Sequence, residues 1–228
     1  MDVIIRQSAG LGDIFFCQKI GKKIAEAGHT VYWPIFSEYQ YAENYIESPF
    51  LWREPDHKCT EIPLECATKY LIWRSNGECL DNIMQAKYKL ANSTFQVGGW
   101  EDWQDYLKIK RDIDEEERLK SLVLGGSNEP YCVTCKHFAT NYMELKEPII
   151  SGMREIEIKK IEGFNLFDWI GVICGAAEIR IPDSSFPYLV EILPTTDRLY
   201  MYNRSGEPHI RTKPIWKKKW NFIEPEAK

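Results

Sequence analysis

No stretch of 18 apolar residues occurs in the 228-residue chain, so the sequence offers no transmembrane helix. The opening MDVIIRQSAGLGD has an acid at position 2 and lacks the apolar core of a secretory signal. The GxGxxG dinucleotide fingerprint is missing, and so is a glycine loop ending in Lys-Ser or Lys-Thr. Those two absences argue against a nicotinamide-type oxidoreductase and against kinase or ATPase chemistry. Positive charge is not in excess: 29 basic against 34 acidic residues give a net charge of −5, which disfavours nucleic-acid binding by bulk charge. The seven cysteines are odd in number. With no signal segment, this points to a reduced, cytoplasmic compartment rather than a disulfide framework.

What is present is an ordinary globular composition, 44% hydrophobic and 28% charged, which excludes disorder as the main state. Aromatic residues reach 13%, with eight Trp and twelve Tyr. They supply core, and they also suit a site that stacks on a sugar or a base.

Residues 3–7 (VIIRQ) read as a buried strand, and residues 8–13 (SAGLGD) as a glycine turn. Residues 14–27 follow as one helix, with Phe16, Cys17, Ile20, Ile24 and Ala27 inside and Lys19, Lys22, Lys23 and Glu26 outside. Gly28 is the expected stop, and residues 30–35 the next strand. Strand, turn, helix and strand at this spacing are the signature of a parallel βαβ unit. Residues 36–60 read as irregular, 79–90 as a helix, and 100–124 as a charged helix. Residues 125–130 (GGSNEP) are the best linker. Beyond it the βα rhythm restarts, with strands at 131–138, 153–158, 178–181 and 199–202 and helices at 165–177 and 186–193. The expected divisions are 1–126, 127–206 and a C-terminal segment 207–228 that packs back on the first domain.

Two turns carry the chemistry. Gly10, Leu11 and Gly12 lie at the carboxyl end of the first strand, where the glycines allow positive φ and close backbone approach, and where open α/β sheets bind ligands. Asp13 then either caps the helix or presents a catalytic carboxylate. The second turn, Asp183-Ser184-Ser185, again lies between a strand and a helix, as a simple cap or an anion-facing loop. Lys136, His137 and Arg204, near strand ends of the second unit, are candidate cations for a phosphate. Cys132 and Cys135 form a lone CxxC on a strand, with no second ligand pair for zinc. No metal site is expected.

The order strand, SAGLGD, helix ending in Ala-Gly, strand is similar to the start of heptosyltransferase-like glycosyltransferases of the GT-B fold. Residues 163–193 (GFNLFDWIGVICGAAEIRIPDSSFPYLVEIL) resemble that family's late segment around the phrase DTGxxH. The resemblance implies an α/β chain of two Rossmann-like domains facing a cleft. The N-terminal one would bind the acceptor, and the smaller C-terminal one a nucleotide-sugar. It also implies Asp13 as general base and Asp183, Ser184 and Ser185 as the donor diphosphate loop. Ser184 stands in place of Thr, Ser185 of Gly and Tyr188 of His. The expected activity is metal-independent hexosyl or heptosyl transfer, with the nucleotide-sugar as donor substrate and no cofactor. The short chain and the unmatched middle, 36–127, suggest a viral or phage-like version. A saccharide is the default acceptor. Hydroxymethylpyrimidine in phage DNA is the alternative, favoured by the basic, aromatic stretch 209–220 and opposed by the acidic balance. From another class stands a non-catalytic nucleotide- or sugar-binding protein.

Overall fold

A computed structural model describes residues 1–71, 82–138, 141–142, 145, 153–203 and 213–223. The chain forms two compact units, Met1–Lys110 and Arg111–Lys228.

In the first unit, β1 (Asp2–Ile5) lies between β2 (Thr30–Tyr32) and β3 (Thr60–Ile62), all parallel. Val3, Ile4 and Ile5 are all buried, as befits a central parallel strand covered on both faces. The expected single helix is two, α1 (Leu11–Phe16) and α2 (Gln18–Glu26), separated at Cys17. Ile14, Phe15, Phe16, Ile20 and Ile24 still form one buried stripe. Gly28 stops α2 at φ +85°, and the His29 N–H reaches back to the Ile24 carbonyl at 3.4 Å, a pattern only glycine adopts without strain. Lys19, expected outside, is buried: its Nζ donates to the Gly99 carbonyl at 2.6 Å and pairs with Asp102.

The irregular aromatic stretch builds core. Trp33 is fully buried, with Trp52 at 5.8 Å and Phe50 at 5.3 Å between ring centres. A Cβ at Gly21 would lie 2.6 Å from the Phe50 ring, so α2 needs a glycine at that contact. Residues 37–44 form a 3-10 helix. Helix α3 (Ile83–Asn92) starts at Asn82 with a reciprocal cap: Asn82 accepts from the Gln85 N–H, and the Gln85 side chain accepts from that of Asn82. The earlier residues of that expected helix, 79–81, lie outside the described residues.

The helix expected over 100–124 is interrupted. The Lys110 N–H donates to the Tyr45 carbonyl at 2.7 Å, and Glu47 N–H to the Lys108 carbonyl at 2.9 Å. Those bonds hold 108–110 extended, so only a 3-10 turn, Trp103–Tyr106, and α4 (Ile113–Leu124) remain helical.

In the second unit five parallel strands run in the order β10 (Trp220–Ile223), β9 (Leu199–Tyr202), β8 (Glu178–Pro182), β4 (Tyr131–Thr134), β7 (Arg154–Glu157). A short antiparallel pair, β5 (His137–Phe138) and β6 (Asn141–Tyr142), lies apart. Helices α5 (Ile170–Cys174) and α6 (Phe186–Ile192) follow β7 and β8. The units divide ahead of residue 126 because α4 is built into the second one. The Arg154 guanidinium from β7 donates to the last carbonyls of α4, at Val123 and Leu124, both at 2.7 Å. A Cβ at Gly171 in α5 would stand 3.2 Å from Glu116 in α4. Gly125, at φ +62°, ends the helix rather than linking domains.

The C-terminal segment also departs from expectation. Its described part belongs to the second unit: β10 pairs with β9, and Trp216 lies 4.7 Å from Tyr188, ring to ring. Glu191 of α6 accepts from the Trp220 indole at 2.6 Å and from the backbone of Lys217 at 3.0 Å. An edge strand and a buried carboxylate thus fix what was read as a strap for the first unit.

The cysteines differ sharply in access. Cys17 and Cys132 are buried, and burial pushes both thiols up to about 12; Cys66 is exposed. Since the thiolate is the reactive form, iodoacetamide at pH 8 should label Cys66 before Cys17 or Cys132. Peptide mapping should show Cys17 and Cys132 unlabelled until denaturant is added; early labelling of either would contradict the packing.

Candidate functional site

The glycine turn after β1 folds as the sequence requires at Gly10 but not at Gly12. Gly10 has φ +79° and ψ 93° and precedes α1, and its carbonyl accepts from the Ile14 N–H at 3.0 Å. Gly12 is the second residue of the helix, with no positive φ. The expectation of left-handed backbone there is corrected: once Leu11 starts the helix and is buried, residue 12 is an ordinary helical position. A Cβ at Gly10 would lie 2.7 Å from the Asp13 Oδ2. Glycine is needed at 10 both for the backbone and for the room it leaves beside that carboxylate.

Asp13 sits in the first turn of α1 with its side chain about a third exposed (32%). It is held from the side. The Lys87 Nζ, from α3, lies 2.8 Å from the Asp13 Oδ1. Lys87 is 3% exposed. The same ammonium donates to the Gln7 side-chain oxygen and, at 3.5 Å, to the Leu64 carbonyl. Gln7 in turn donates to the Ala9 carbonyl at 2.6 Å, while its own carbonyl accepts from the Trp33 indole at 3.0 Å. A buried ammonium with three oxygen partners satisfies its donors and fixes one carboxylate oxygen, while the residue stays open to solvent. Cys17, directly behind, feels both groups: beyond burial, Lys87 lowers its thiol and Asp13 raises it.

Tyr39 completes the rim. Burial and then a hydrogen bond with Glu38 push its phenol up, opposed by a backbone hydrogen bond from Gly10. The Phe36 N–H donates to the Ser8 carbonyl at 2.9 Å. The start of the 3-10 segment is therefore tied to the glycine turn at Ser8 and Gly10.

Sequence reasoning found Gly10 and Asp13 but missed Lys87, Gln7 and Tyr39. One signal existed. Met84, Lys87, Tyr88 and Ala91 share a face of α3 at helical spacing, and all four are buried. A lysine on an apolar stripe must find a partner.

The second candidate loop follows β8. The Asp183 N–H donates to the Tyr202 carbonyl at 3.0 Å, which holds the loop at the carboxyl end of the sheet. Ser184 Oγ is buried without a hydrogen-bond partner, and Ser185 is the residue before α6 without a side-chain cap. Of the two readings of this turn, a helix cap or an anion-facing loop, the structure shows no side-chain cap at Ser185. Tyr188 is buried against Trp216.

Among the candidate cations, Lys136 pairs with Glu155 at 2.6 Å, and Thr134 donates to the same carboxylate at 2.7 Å. Although burial works the other way, these bonds hold Glu155 below the usual carboxylate range. His137 begins β5; its side chain and the whole of Arg204 lie outside the described residues.

No protein-family model and no curated protein matches the sequence. Two solved structures are similar. One is the glycosyl transferase family 9 structure from Veillonella parvula DSM 2008, at TM-score 0.58 and 7% identity, over 98% of this chain and 86% of that one. The other is E. coli heptosyltransferase WaaC with ADP, at TM-score 0.45 and 11% identity, over 92% and 89%. At such identities likeness speaks to fold and not to function. Taken with the parallel sheets of both units, the likeness to the Veillonella structure shows that this chain has a mixed α/β fold similar to the GT-B glycosyltransferase structures.

Proposed function

We propose that this protein transfers a glycosyl group from a nucleotide-sugar to an acceptor hydroxyl, without a metal, with Asp13 as general base. The observation that carries the reading is the Asp13 carboxylate. It is partly open to solvent, packed against a glycine where a Cβ would collide with it, and pinned through one oxygen by the buried Lys87. Glycosyl transfer needs a group that takes the acceptor's proton as the new bond forms, and a positioned carboxylate supplies about 10²–10⁴-fold. The Veillonella structure of similar fold is itself a glycosyl transferase, and the reading takes its reaction class from that analogy.

The leaving diphosphate is assigned to Asp183, Ser184 and Ser185. The orphaned Ser184 hydroxyl supports this, since a buried donor without a partner is costly unless a ligand completes it. Hydroxyl and backbone donors stabilise negative charge without a metal, so EDTA should leave turnover unchanged. The test of the donor site is a thermal-shift screen with UDP, GDP, ADP, CMP and their sugars. A donor at about 100 times its dissociation constant adds about 2.7 kcal/mol to the folded state. No shift with any of them would remove the loop from the reading.

A second reading, a non-catalytic nucleotide- or sugar-binding protein, has one observation on its side. Tyr188, where the family has His, is buried with its ring against Trp216. A binder shows a nucleotide shift and no turnover in any variant.

A further inference from the structure

We infer that residues 53–58 form a pH-sensitive strap over one face of the first sheet, closed while the His57 ring carries its second proton and released when it loses it. The device stands apart from the reaction proposed above.

Alternation puts Asp2, Ile4 and Arg6 on one face of the first strand, opposite to Gln7 and the Lys87 it meets. The register adds Tyr32 of β2 and Glu61 of β3 to that face, both level with Ile4. A parallel sheet hides both faces, usually under helices. Here the last leg of the crossover to β3 is not helical, and residues 53, 54 and 56–58 are all exposed. Among the described residues, no backbone group of 54–58 bonds to another backbone group. A hollow of about 90 Å³ lies between Tyr32 and the strap residues Arg53, Glu54, Pro55 and Asp56. With so little packing, side-chain charges decide whether the segment stays down.

Those charges clasp it twice. Glu54 accepts from Arg6 at 2.5 Å, and Arg6 also meets Glu61 at 3.2 Å. Further along, His57 is gripped at both ring nitrogens: Nε2 lies 2.6 Å from Asp2 and Nδ1 2.7 Å from Asp56. Its ring stands edge-on to Tyr32 at 5.7 Å. A neutral imidazole has one N–H and can donate to only one of the two carboxylates, whereas the imidazolium donates to both. Of the two clasps, only the histidine titrates near neutrality. Asp56 and then Asp2 hold the imidazolium above its ordinary value, and it holds both carboxyls below theirs. From β2 the Thr30 side chain bonds to Asp2, and the Met1 ammonium and Arg53 also favour the ionised carboxylates. The Cys59 thiol, pushed up by burial and by both carboxylates, donates to the His57 carbonyl at 3.7 Å. A value raised in the closed form means that closure is complete below the open-chain value, about 6.5, and is lost as pH rises through the raised one. Both carboxylates stay ionised across that window.

The experiment is limited trypsin cleavage of the full chain after Lys58, at pH 6 and at pH 9. Each rate is divided by that of a free peptide spanning 50–62, so that the protease's own pH dependence cancels. Cleavage of a briefly opened segment tracks its open population. The ratio should rise about two- to tenfold at the higher pH, the range of two exposed ion pairs. An NMR titration of the His57 ring, in the protein and in the peptide, fixes the same number independently. The rise must equal ten to the power of the difference between the two measured pKa values. Asp2→Asn should shrink both the difference and the rise. His57→Gln should be cleaved at pH 6 as fast, relative to its peptide, as the native chain is at pH 9, with no further rise. Its melting temperature should stay near native because the ring is exposed. His29→Gln, which removes the other histidine beside the Met1 ammonium, should keep the rise. A rise that survives in His57→Gln would hand the switch to another group and overturn the strap. So would a ring that titrates alike in protein and peptide, equal relative cleavage at both pH values, or an Asp2→Asn variant that behaves as native.

Discussion

Asp13→Asn is expected to lower turnover by about 10²–10⁴-fold while leaving donor binding within a factor of two or so of the native value. Asparagine keeps the size of the side chain, and its amide oxygen can still accept from the Lys87 ammonium that now lies 2.8 Å from Oδ1. What it cannot do is accept a proton from an acceptor hydroxyl. The loop after β8 that is proposed for the donor belongs to the other unit, so the nucleotide shift should persist. Folding should suffer modestly. Lys87 is buried and loses a charged partner, but it keeps Gln7 and the Leu64 carbonyl. A drop in kcat with an unchanged nucleotide shift is the expected pairing. Full turnover in the asparagine variant would end the role assigned to this carboxylate.

The largest effect on stability is expected at Glu178. It is completely buried in β8, and three groups converge on it. Arg180 contacts one oxygen through Nε, Arg198 the other at 2.6 Å, and the Cys132 thiol lies 3.8 Å away. Arg198 is 45% exposed and returns to water if the carboxylate is removed. Arg180 cannot, since it is buried between Tyr202, whose hydroxyl it reaches at 3.3 Å, and the Tyr200 ring, 4.8 Å from its guanidinium carbon. Glu178→Ala should therefore cost about 3 kcal/mol, at the low end for a broken buried pair because one of the two arginines escapes. Urea denaturation should show a lower midpoint at constant slope. The double change Glu178→Leu with Arg180→Met should recover most of that loss, since well-packed apolar groups often replace a buried ion pair without cost. A single variant within 0.5 kcal/mol or so of native, the range of an ordinary surface change, would mean the charge is not buried as described.

These two sites were unequally legible. Gly10 and Asp13 lie in one short run of sequence, where strand, turn and helix declare themselves by local pattern. Lys87 lies 74 positions on from Asp13, and no local rule brings α3 to that turn. Strand β9 is found at its expected bounds and β8 one residue longer, because alternation in a buried sheet is a strong signal. Strand β3 is three residues long, Thr-Glu-Ile, too short for any period to show. The interruption of the expected helix at Cys17 and the extended stretch 108–110 are both set by partners distant in sequence or by one local dihedral, neither visible as periodicity. Glu178 was read only as the start of a strand, since nothing in a sequence states that a carboxylate will find two arginines two and twenty positions away. The GT-B-like fold followed from the order of weak motifs, and that order is a global property that survives when single residues such as Ser185 and Tyr188 depart.

The parallel pairing of β10 with β9 also has a bearing on synthesis. A strand made last completes the edge of a sheet whose other members are made over some ninety preceding positions. During translation β9 leaves the ribosome before Trp220, and Glu191 waits without its indole and backbone donors. The sheet of the second unit closes only when β10 is free of the exit tunnel, whereas β1, β2 and β3 are complete by residue 62. Until β10 is made, nascent chains of this protein therefore carry an open sheet edge at β9, the state in which strand-rich intermediates most readily pair with the wrong neighbour.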